Sequence, residues 1–300
     1  MITEVIGPTL LLMGIGYCLG RFGKIPAQPF TAVSFWILSP ALIFESLRTA
    51  QLPMREAGLV ALFVFAHYGL MFLLSLPVGR MLFPTDRNAQ RATSLLLTFG
   101  NCGNFGLPIL VFAYGQGTLD VGVIFLATNT VLLATLGVGI AGWEERPTPG
   151  EFLRGILTVP WPYAILLALI AKVTHVWPAV LARASALLSQ AAIPIFLLVL
   201  GLELSCTNMR NLARPAVLAA WLRLILASAL AWGLAYVVPV ASMVRKALVV
   251  EGSVPSAVNA YILASQYKRR PDFAAAVLLL STVFALVTIS LTLFLLRYGG

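Results

Sequence analysis

Charged residues are scarce in this chain, and their scarcity excludes an ordinary soluble domain. Only 10% of the 300 residues are Asp, Glu, Lys or Arg, while 60% are hydrophobic and the mean hydropathy is +0.94. A soluble domain carries roughly a quarter charged residues. The apolar stretches are also too continuous for the residue-by-residue alternation of a transmembrane barrel. The composition therefore predicts an all-α polytopic membrane protein.

The residue types that usually carry chemistry are also rare. The two histidines, His67 and His175, form no HExxH motif, and the three cysteines show neither metal-ligand nor disulfide spacing. Asp occurs only at positions 86, 120 and 272, in or next to loops. These absences argue against an intramembrane enzyme, and we expect no metal and no cofactor. The net charge of +9 is distributed between apolar segments, so nucleic acid is not an expected partner.

Long hydrophobic segments are abundant. A transmembrane helix needs about 20 apolar residues, and charges, prolines and glycines divide the chain into ten such spans. They are predicted at residues 4–21, 29–47, 56–83, 91–114, 119–142, 153–173, 178–202, 213–240, 245–266 and 271–297. The first stretch has no basic segment before it, so we expect it to be a retained span rather than a cleaved signal.

The distribution of basic residues predicts the orientation. The odd-numbered loops contain twelve Lys and Arg residues, and the even-numbered loops with the termini contain seven. Because cytoplasmic loops carry the excess of positive charge, we expect the odd-numbered loops in the cytoplasm and both termini outside. We therefore expect the chain to be embedded in a lipid bilayer.

The two halves of the chain are related by an internal repeat. An offset of 154 residues pairs five punctuating residues across five spans: Pro8 with Pro162, Pro40 with Pro194, Gly79 with Gly233, Arg91 with Arg245, and Thr128 with Thr282. Five spans in each half require opposite insertion of the halves. The sequence thus predicts a 5+5 inverted repeat, with residues 1–142 and 153–300 as its halves and residues 143–152 as a short cytoplasmic connection.

Spans four and nine, which the repeat makes equivalent, are each interrupted. The interruptions are Gly100–Pro108 and Glu251–Asn259. Lipid cannot satisfy a broken backbone, so such breaks survive only against protein or a water-filled cavity. Interrupted spans in matching positions of two halves are typical of the binding site of a secondary transporter. If the two spans cross, helix N-termini converge and favour an anionic ligand.

At these residues the chain resembles the auxin efflux carrier family, which contains the plant PIN proteins and bacterial permeases for small organic anions. The resemblance covers nearly the whole chain. It is carried by segments 103–109 and 254–261 in the interrupted spans, by 39–44 in span two, and by 193–194 with 201–204 in span seven. The connection between spans five and six is short, as in bacterial members, which implies a bacterial plasma membrane.

The resemblance implies further properties. They are ten helices with crossing helices four and nine, a scaffold of spans 1, 2, 6 and 7, and a mobile transport domain of spans 3–5 and 8–10. It also implies transport of an organic anion by an elevator-type motion, and a homodimer. It leaves the substrate open among carboxylates such as malate, malonate or an auxin-like acid.

The predicted substrate-binding residues are amides, whose side chains both donate and accept hydrogen bonds without a buried charge. They are Asn101 and Asn104 at the first break, Asn259 at the second, Asn129 in span five and Gln190 in span seven. Capping of the broken helix ends and helix packing are the structural alternatives. The residues predicted to shape the breaks are Gly103, Gly106, Pro108, Pro255 and Ser256.

Three ionisable residues lie inside predicted spans, where such residues are functional candidates. Glu251 is a candidate proton carrier, Arg223 a candidate counter-charge for the substrate, and His67 a candidate coupling group. The alternatives are a structural salt bridge between Arg223 and Glu251 and a hydrogen-bonded structural histidine.

The sequence predicts a secondary carrier for a small organic anion, driven by a gradient or by exchange. The alternative is a cation–proton antiporter on a related inverted-repeat fold, which usually needs buried aspartates near the crossover. A channel or receptor is less consistent with two broken helices.

Overall fold

The computed structural model of the protein describes residues 2–142, 150, 157–206 and 214–298. Within these residues no strand of a sheet is formed, and the secondary structure is helical. The helices of the first half are α1 (Ile2–Arg21), α2 (Ala27–Thr49), α3 (Met54–Leu82), α4 (Arg87–Thr98), α5 (Cys102–Tyr114) and α6 (Gln116–Ala141).

The helices of the second half are α7 (Trp161–Thr174), α8 (Ala179–Cys206), α9 (Arg214–Val237), α10 (Ser242–Gly252), α11 (Val258–Gln266) and α12 (Pro271–Tyr298). Three helices of the first half contain one π-helical turn each: Ser34–Leu38 in α2, Cys102–Gly106 in α5 and Leu133–Gly137 in α6. Such turns occur frequently at functional sites.

Six helices in the described part of the chain are long and apolar enough to cross a membrane: α2, α3, α6, α8, α9 and α12. Helices α5 and α7 are apolar but shorter. The prediction of an all-helical membrane protein is confirmed. The predicted connection at residues 143–152 and the start of predicted span six lie almost entirely outside the described residues.

The two interrupted spans are each divided into a pair of helices, and the breaks are narrower than the sequence predicted. The first break consists of residues 99–101, between α4 and α5, and the second of residues 253–257, between α10 and α11. Glu251 therefore lies in the last turn of α10 and not within the break itself.

Helix α4 begins with a capping residue in the loop before it. The carboxylate of Asp86 accepts a hydrogen bond from the backbone N–H of Ala89 at 3.0 Å and pairs with the guanidinium of Arg270. These two contacts, the Ala89 N–H first, hold the pKa of Asp86 below its usual range. The cap satisfies one of the free N–H groups of the first turn and ties α4 to the start of α12.

Helices α1 and α8 pack closely enough for backbone to touch backbone. A Cβ atom at Gly16 would overlap the carbonyl of Leu198, and a Cβ at Gly201 would overlap the carbonyl of Met13. Small residues at helix interfaces permit this approach in membranes. The glycine at position 16 therefore faces span seven, a partner that the sequence alone did not identify.

Candidate functional site

The two breaks lie side by side and are joined through their backbones. The N–H of Asn101 donates to the carbonyl of Pro255 at 2.8 Å, and the N–H of Ala257 donates to the carbonyl of Phe99 at 2.9 Å. Gly100 and Ser256 form an antiparallel bridge between these bonds. Each break thus satisfies backbone groups that the other leaves without a helical partner, which is the requirement for broken backbone inside a membrane.

Ser256 connects the second break to two further helices. Its hydroxyl donates to the carbonyl of Leu96 in α4 at 2.8 Å, and its backbone N–H donates to the hydroxyl of Ser281 in α12 at 3.2 Å. The residue is fully buried. Its predicted role in shaping the break is consistent with these contacts.

Arg223 of α9 is buried against the two breaks, whose meeting point we call the junction. Its Nη1 donates to the carbonyls of Leu97 at 2.7 Å and Thr98 at 3.1 Å, and its Nη2 donates to the carbonyl of Val254 at 3.0 Å. Carbonyls at the C-terminal end of a helix lack intrahelical donors and carry partial negative charge. One buried cation thus compensates the end of α4 and the second break together.

A small cavity borders both breaks, and Arg223 is not among the residues that line it. Its volume is about 50 Å³, several times the roughly 10–15 Å³ that a single water molecule needs on the same measure. It is lined by Thr31, Ser34, Phe35, Ser39, Gly100, Asn101, Cys102, Gly103, Asn104, Leu126, Asn129, Trp161, Ala257, Val258 and Asn259. Four of the five amide residues predicted from the sequence are in this set.

The N-terminal ends of α5 and α11 both border this cavity. The carboxamide oxygen of Asn101 caps α5 by accepting from the N–H of Asn104 at 3.2 Å. Helix α11 has no side-chain cap, so the N–H groups of its first turn, from Val258 onward, have no intrahelical acceptor. Two helix N-termini directed at one space give it a positive electrostatic potential.

Buried polar atoms without a partner surround the same cavity. They are Nδ2 of Asn101, Oγ of Ser34, Nε1 of Trp161 and Oδ1 of Asn129, on residues that are only 4–6% exposed. The other amide atom of Asn129, Nδ2, donates to Sγ of Cys102 at 3.2 Å. A buried donor without an acceptor costs about 1–3 kcal/mol. Three of the four atoms are donors or hydroxyls, so they suit a ligand that accepts hydrogen bonds.

Asn104 and Asn259 are half-buried in the cavity wall, and neither side-chain amide bonds to another described residue. Both amides are therefore available to a ligand. Gln190 lies elsewhere: it is exposed on α8 and is not part of the cavity wall. The structure thus brings Asn101, Asn104, Asn129 and Asn259 together and separates the fifth candidate from them.

A larger cleft adjoins the cavity. It has a volume of about 900 Å³ and shares four wall residues with the cavity: Thr31, Phe35, Val258 and Asn259. Its far wall contains Gln28 at the start of α2, Gln266 at the end of α11 and Asp272 at the start of α12. Glu203 of α8 also lines the cleft and accepts a hydrogen bond from the hydroxyl of Thr31 at 3.0 Å.

The three ionisable candidates do not line the cavity. The salt bridge between Arg223 and Glu251 that the sequence allowed is not formed, because the guanidinium bonds to carbonyls instead. Nε2 of His67 lies 3.1 Å from the carbonyl of Ala227, the contact of a structural histidine. Both carboxyl oxygens of Glu251 are buried without a hydrogen-bond partner among the described residues.

The break-shaping candidates differ in how strongly their positions restrict the side chain. A Cβ at Gly106 would overlap the carboxyl group of Glu251, whereas a Cβ at Gly103 would meet only Leu126, at an ordinary 3.4 Å. Pro108 is the second residue after the π turn of α5, where its missing N–H interrupts the regular hydrogen-bond pattern of the helix. Pro255 supplies the carbonyl that accepts from Asn101.

Sequence reasoning missed the contribution of α2 and α7 to the cavity. Thr31, Ser34 and Ser39 come from α2, and Trp161 is the first residue of α7. Thr31 and Ser34 are three residues apart, which places them on one face of a helix. Two hydroxyl residues at that spacing in an otherwise apolar span were a usable signal.

Paired helix breaks, a polar cavity between them and several apolar spans define a membrane transport protein rather than an enzyme. The chain belongs to the family described as "Membrane transport protein", whose model matches residues 1–293 and which is the auxin efflux carrier family. The resemblance found in the sequence is thereby confirmed.

Three similar proteins extend along nearly the whole chain. An "Uncharacterized transporter" of Methanothermobacter thermautotrophicus is 27% identical over 311 aligned residues and covers 96% of both chains. A second "Uncharacterized transporter", from Methanocaldococcus jannaschii, is 22% identical over 300 residues, again 96% of both. A "Putative malonate transporter" of Rhizobium meliloti is 25% identical over 318 residues, covering 100% of this chain and 97% of its own.

Proposed function

We propose that the protein is a secondary carrier for a small organic anion, a mono- or dicarboxylate such as malonate, malate or an auxin-like acid. The observation that carries this proposal is the pairing of the two breaks, which directs the N-termini of α5 and α11 at one cavity. A carboxylate there meets positive helix ends and the free amides of Asn104 and Asn259. The relative named for malonate supports the same ligand class.

The proposed architecture is ten spans in a 5+5 inverted repeat, with broken helices α4–α5 and α10–α11 crossing at the site. The spacing of the elements supports it. Arg87 and Ser242, which begin α4 and α10, are 155 residues apart, and Gln116 and Pro271, which begin α6 and α12, are also 155 apart. Both spacings are close to the offset of 154 found between prolines and glycines in the sequence.

The proposed mechanism is an elevator. Spans 1, 2, 6 and 7, which are α1, α2, α7 and α8, form the scaffold, and the remaining helices carry the site. The packing supports this division, because α1 packs along α8 and α7 along α2, whereas α9 packs against α12 and α3. We also propose a homodimer in a bacterial plasma membrane, with both termini outside.

In this conformation the cleft leads from the cavity to the ends of α2, α11 and α12 at the odd-numbered loops. Under the orientation predicted from basic residues, those loops are cytoplasmic. The structure then corresponds to an inward-facing conformation of the carrier. The cavity wall contains no aspartate, which disfavours the cation–proton antiporter alternative.

The test is charge movement by the reconstituted protein on a panel of carboxylates containing malonate, malate and indole-3-acetate. We compare wild type with the double variant Asn104→Ala, Asn259→Ala. A hydrogen bond to a charged group contributes about 1.5–3 kcal/mol, so losing two should weaken apparent affinity about a hundredfold or more. Gln116→Ala removes an exposed amide at the start of α6 and serves as the matched control.

A saturable, ligand-specific current that is reduced in the double variant and unchanged in the control supports the proposal. Currents of normal affinity in the double variant would move the site away from the breaks. Absence of both current and counterflow exchange with every carboxylate would contradict transport of an organic anion.

A further inference from the structure

Glu251 is the acidic side chain that the anion site, as described, does not use. It lies in the last turn of α10, is fully buried, and neither of its carboxyl oxygens has a hydrogen-bond partner among the described residues. The missing side chain of Gly106 makes room for it, and Gly122 lies close by. A Cβ at Gly106 of α5 would overlap the carboxyl group, and a Cβ at Gly122 of α6 would approach Oε1 to 3.2 Å. The carboxyl group thus occupies a closed space between three helices.

Among the described residues no positive charge pairs with this carboxyl group. Arg223 bonds to three backbone carbonyls instead, and His67 faces the carbonyl of Ala227. An ionised carboxylate buried without a partner costs several kcal/mol even after relaxation, and such a group is neutralised by a proton instead. In this conformation Glu251 is therefore a neutral carboxylic acid.

A metal ion does not suit this space. Calcium takes six to eight oxygen ligands, and magnesium needs a near-complete octahedron. The residues whose positions bring them against the Glu251 carboxyl group are Gly106 and Gly122, and neither has a side-chain oxygen. In the described part of the chain no cluster of three or more His, Cys, Asp or Glu residues is suited to a metal. A proton is the cation that a single carboxyl group can hold.

The proton site and the anion site share one turn of helix. Gly106, which contacts the Glu251 carboxyl group, ends the π turn Cys102–Gly106, and Cys102 and Gly103 at its start line the cavity. An ionised Glu251 would place a negative charge behind the helix end that receives the anion, separated by protein of low dielectric constant. When Glu251 is a neutral acid, the positive potential of that helix end is not reduced, and it can attract the anionic ligand.

We propose that Glu251 is a proton-binding site of this carrier and that the anion binds only while the proton is in place. Because linkage is reciprocal, a bound anion also holds the proton on Glu251. Anion and proton then occupy the protein together, which makes the carrier a candidate for coupled transport of both. This inference rests on the proposed function.

The other ionisable groups around Glu251 belong to the helices that pack on α10. Those in the buried middle of the bundle are His67 and Tyr68 on α3, Cys102 on α5 and Arg223 on α9. Towards the helix ends lie Arg55, Glu56 and Arg80 of α3, Tyr114 of α5, Asp120 of α6, Arg214 and Tyr236 of α9, and Asp272, Arg297 and Tyr298 of α12, and α10 itself carries Arg245 and Lys246 in its first turns. Asp120 accepts from the backbone of Gln51, and Asp272 lies in the cleft. None of these groups donates a hydrogen bond to Glu251.

The first measurement is the infrared spectrum of the purified protein in lipid. C=O stretching intensity of protonated carboxylic acid is expected in wild type and in Glu56→Gln, a control at the outer part of α3, and it falls by the contribution of one carboxyl group in Glu251→Gln. The chain has only 11 Asp and Glu residues, so the contribution of one carboxyl group is resolvable. Absence of this signal from wild type, or an undiminished signal in Glu251→Gln, would overturn the proposal.

The second measurement is the affinity for malonate from about pH 7.5 to about pH 10, where a free dicarboxylate is fully ionised. Wild type should lose affinity toward alkaline pH, by up to about tenfold per unit for one linked proton, whereas Glu251→Gln should keep a constant affinity. Size-exclusion chromatography and helical circular dichroism establish that the variant is folded.

The outcomes separate the inference from the proposed function. A wild-type affinity that is constant over the whole range overturns the linkage while leaving anion binding intact. An alkaline loss that persists in Glu251→Gln, or that disappears in Glu203→Gln instead, assigns the proton to another group and also overturns it. If wild type binds malonate at no pH, the proposed anion site is contradicted, and the linkage between anion and proton is contradicted with it. The infrared spectrum still tests separately whether Glu251 is protonated.

Discussion

The side chains that can be accommodated at single positions near the breaks depend on contacts that the residue type alone does not reveal. Gly106 is an example, because the space where its side chain would project is filled by the carboxyl group of Glu251. Gly58 of α3 is a glycine in a transmembrane helix with nothing within 4 Å of that position. Both are glycines in apolar helices, yet only Gly106 lies between the two proposed sites, the cavity and the Glu251 carboxyl group.

We predict opposite effects of alanine at these two glycines. Gly106→Ala forces the carboxyl group or α5 to move, and overpacking of this kind typically costs about 1–3 kcal/mol. Gly58→Ala should stabilise α3 by about 0.5–1 kcal/mol, because alanine loses less backbone entropy in a helix. The thermal unfolding midpoint of each purified variant measures the difference. A midpoint for Gly106→Ala equal to that of wild type would contradict the tight contact.

At the scale of helices, the junction depends on how four helix ends are compensated. The carbonyls at the end of α4 and in the second break receive the guanidinium of Arg223, and the N-termini of α5 and α11 are left to the cavity. The helix ends with partial negative charge are thus treated differently from those with partial positive charge. The negative ends are neutralised inside the protein, while the positive ends remain available to a ligand.

We predict that Arg223→Met lowers stability strongly. The substitution leaves three carbonyls, those of Leu97, Thr98 and Val254, without their donor, at a cost of about 3 kcal/mol or more. Thermal unfolding measures the loss, and the malonate affinity of the folded fraction should fall because the breaks lose their alignment.

The matched control for this variant is Arg48→Met near the end of α2. Arg48 is partly exposed and pairs with Glu45 three residues before it, and ion pairs at this spacing on a helix contribute only about 0.2–0.5 kcal/mol. Equal unfolding midpoints for the two arginine variants would show that the contacts of Arg223 do not hold the junction together.

At the scale of the molecule, the cleft makes the site accessible from one side. The wall residue Gln266 at the end of α11 is exposed, as is Gln116 at the start of α6, on the opposite side of the predicted membrane. In an elevator, access to the cleft changes when the transport domain moves. Because the two residues are of the same type, substituting each with cysteine allows a direct comparison of which side of the membrane each position faces.

We predict that Gln266→Cys, in a background without the native cysteines, reacts with a membrane-impermeant maleimide only from the cytoplasmic face. Gln116→Cys should react only from the outside. Labelling of inside-out and right-side-out vesicles measures both. Reaction of Gln266→Cys from the outside alone would reverse the proposed orientation, although it would leave the cavity and its residues unchanged.

The amino-acid sequence by itself determined the class of protein, the two interruptions and four of the amides that meet at the cavity. Hydrophobic composition determines membrane insertion because lipid excludes charge, and interrupted apolar segments are informative because lipid cannot satisfy broken backbone. Both properties are local, so they can be read residue by residue. The position of Asn101, Asn104 and Asn259 at the breaks followed from the same reasoning.

Only the tertiary structure decided which partners the buried groups have. It placed Arg223 on carbonyls rather than on Glu251, brought Ser34 and Trp161 into the cavity, and left Gln190 outside it. These outcomes depend on contacts between residues far apart in the chain, such as Arg223 with Leu97, 126 positions away, and Ser256 with Leu96, 160 positions away. Such contacts are set by how helices pack in three dimensions, and hydrophobic periodicity along the chain contains no information about them.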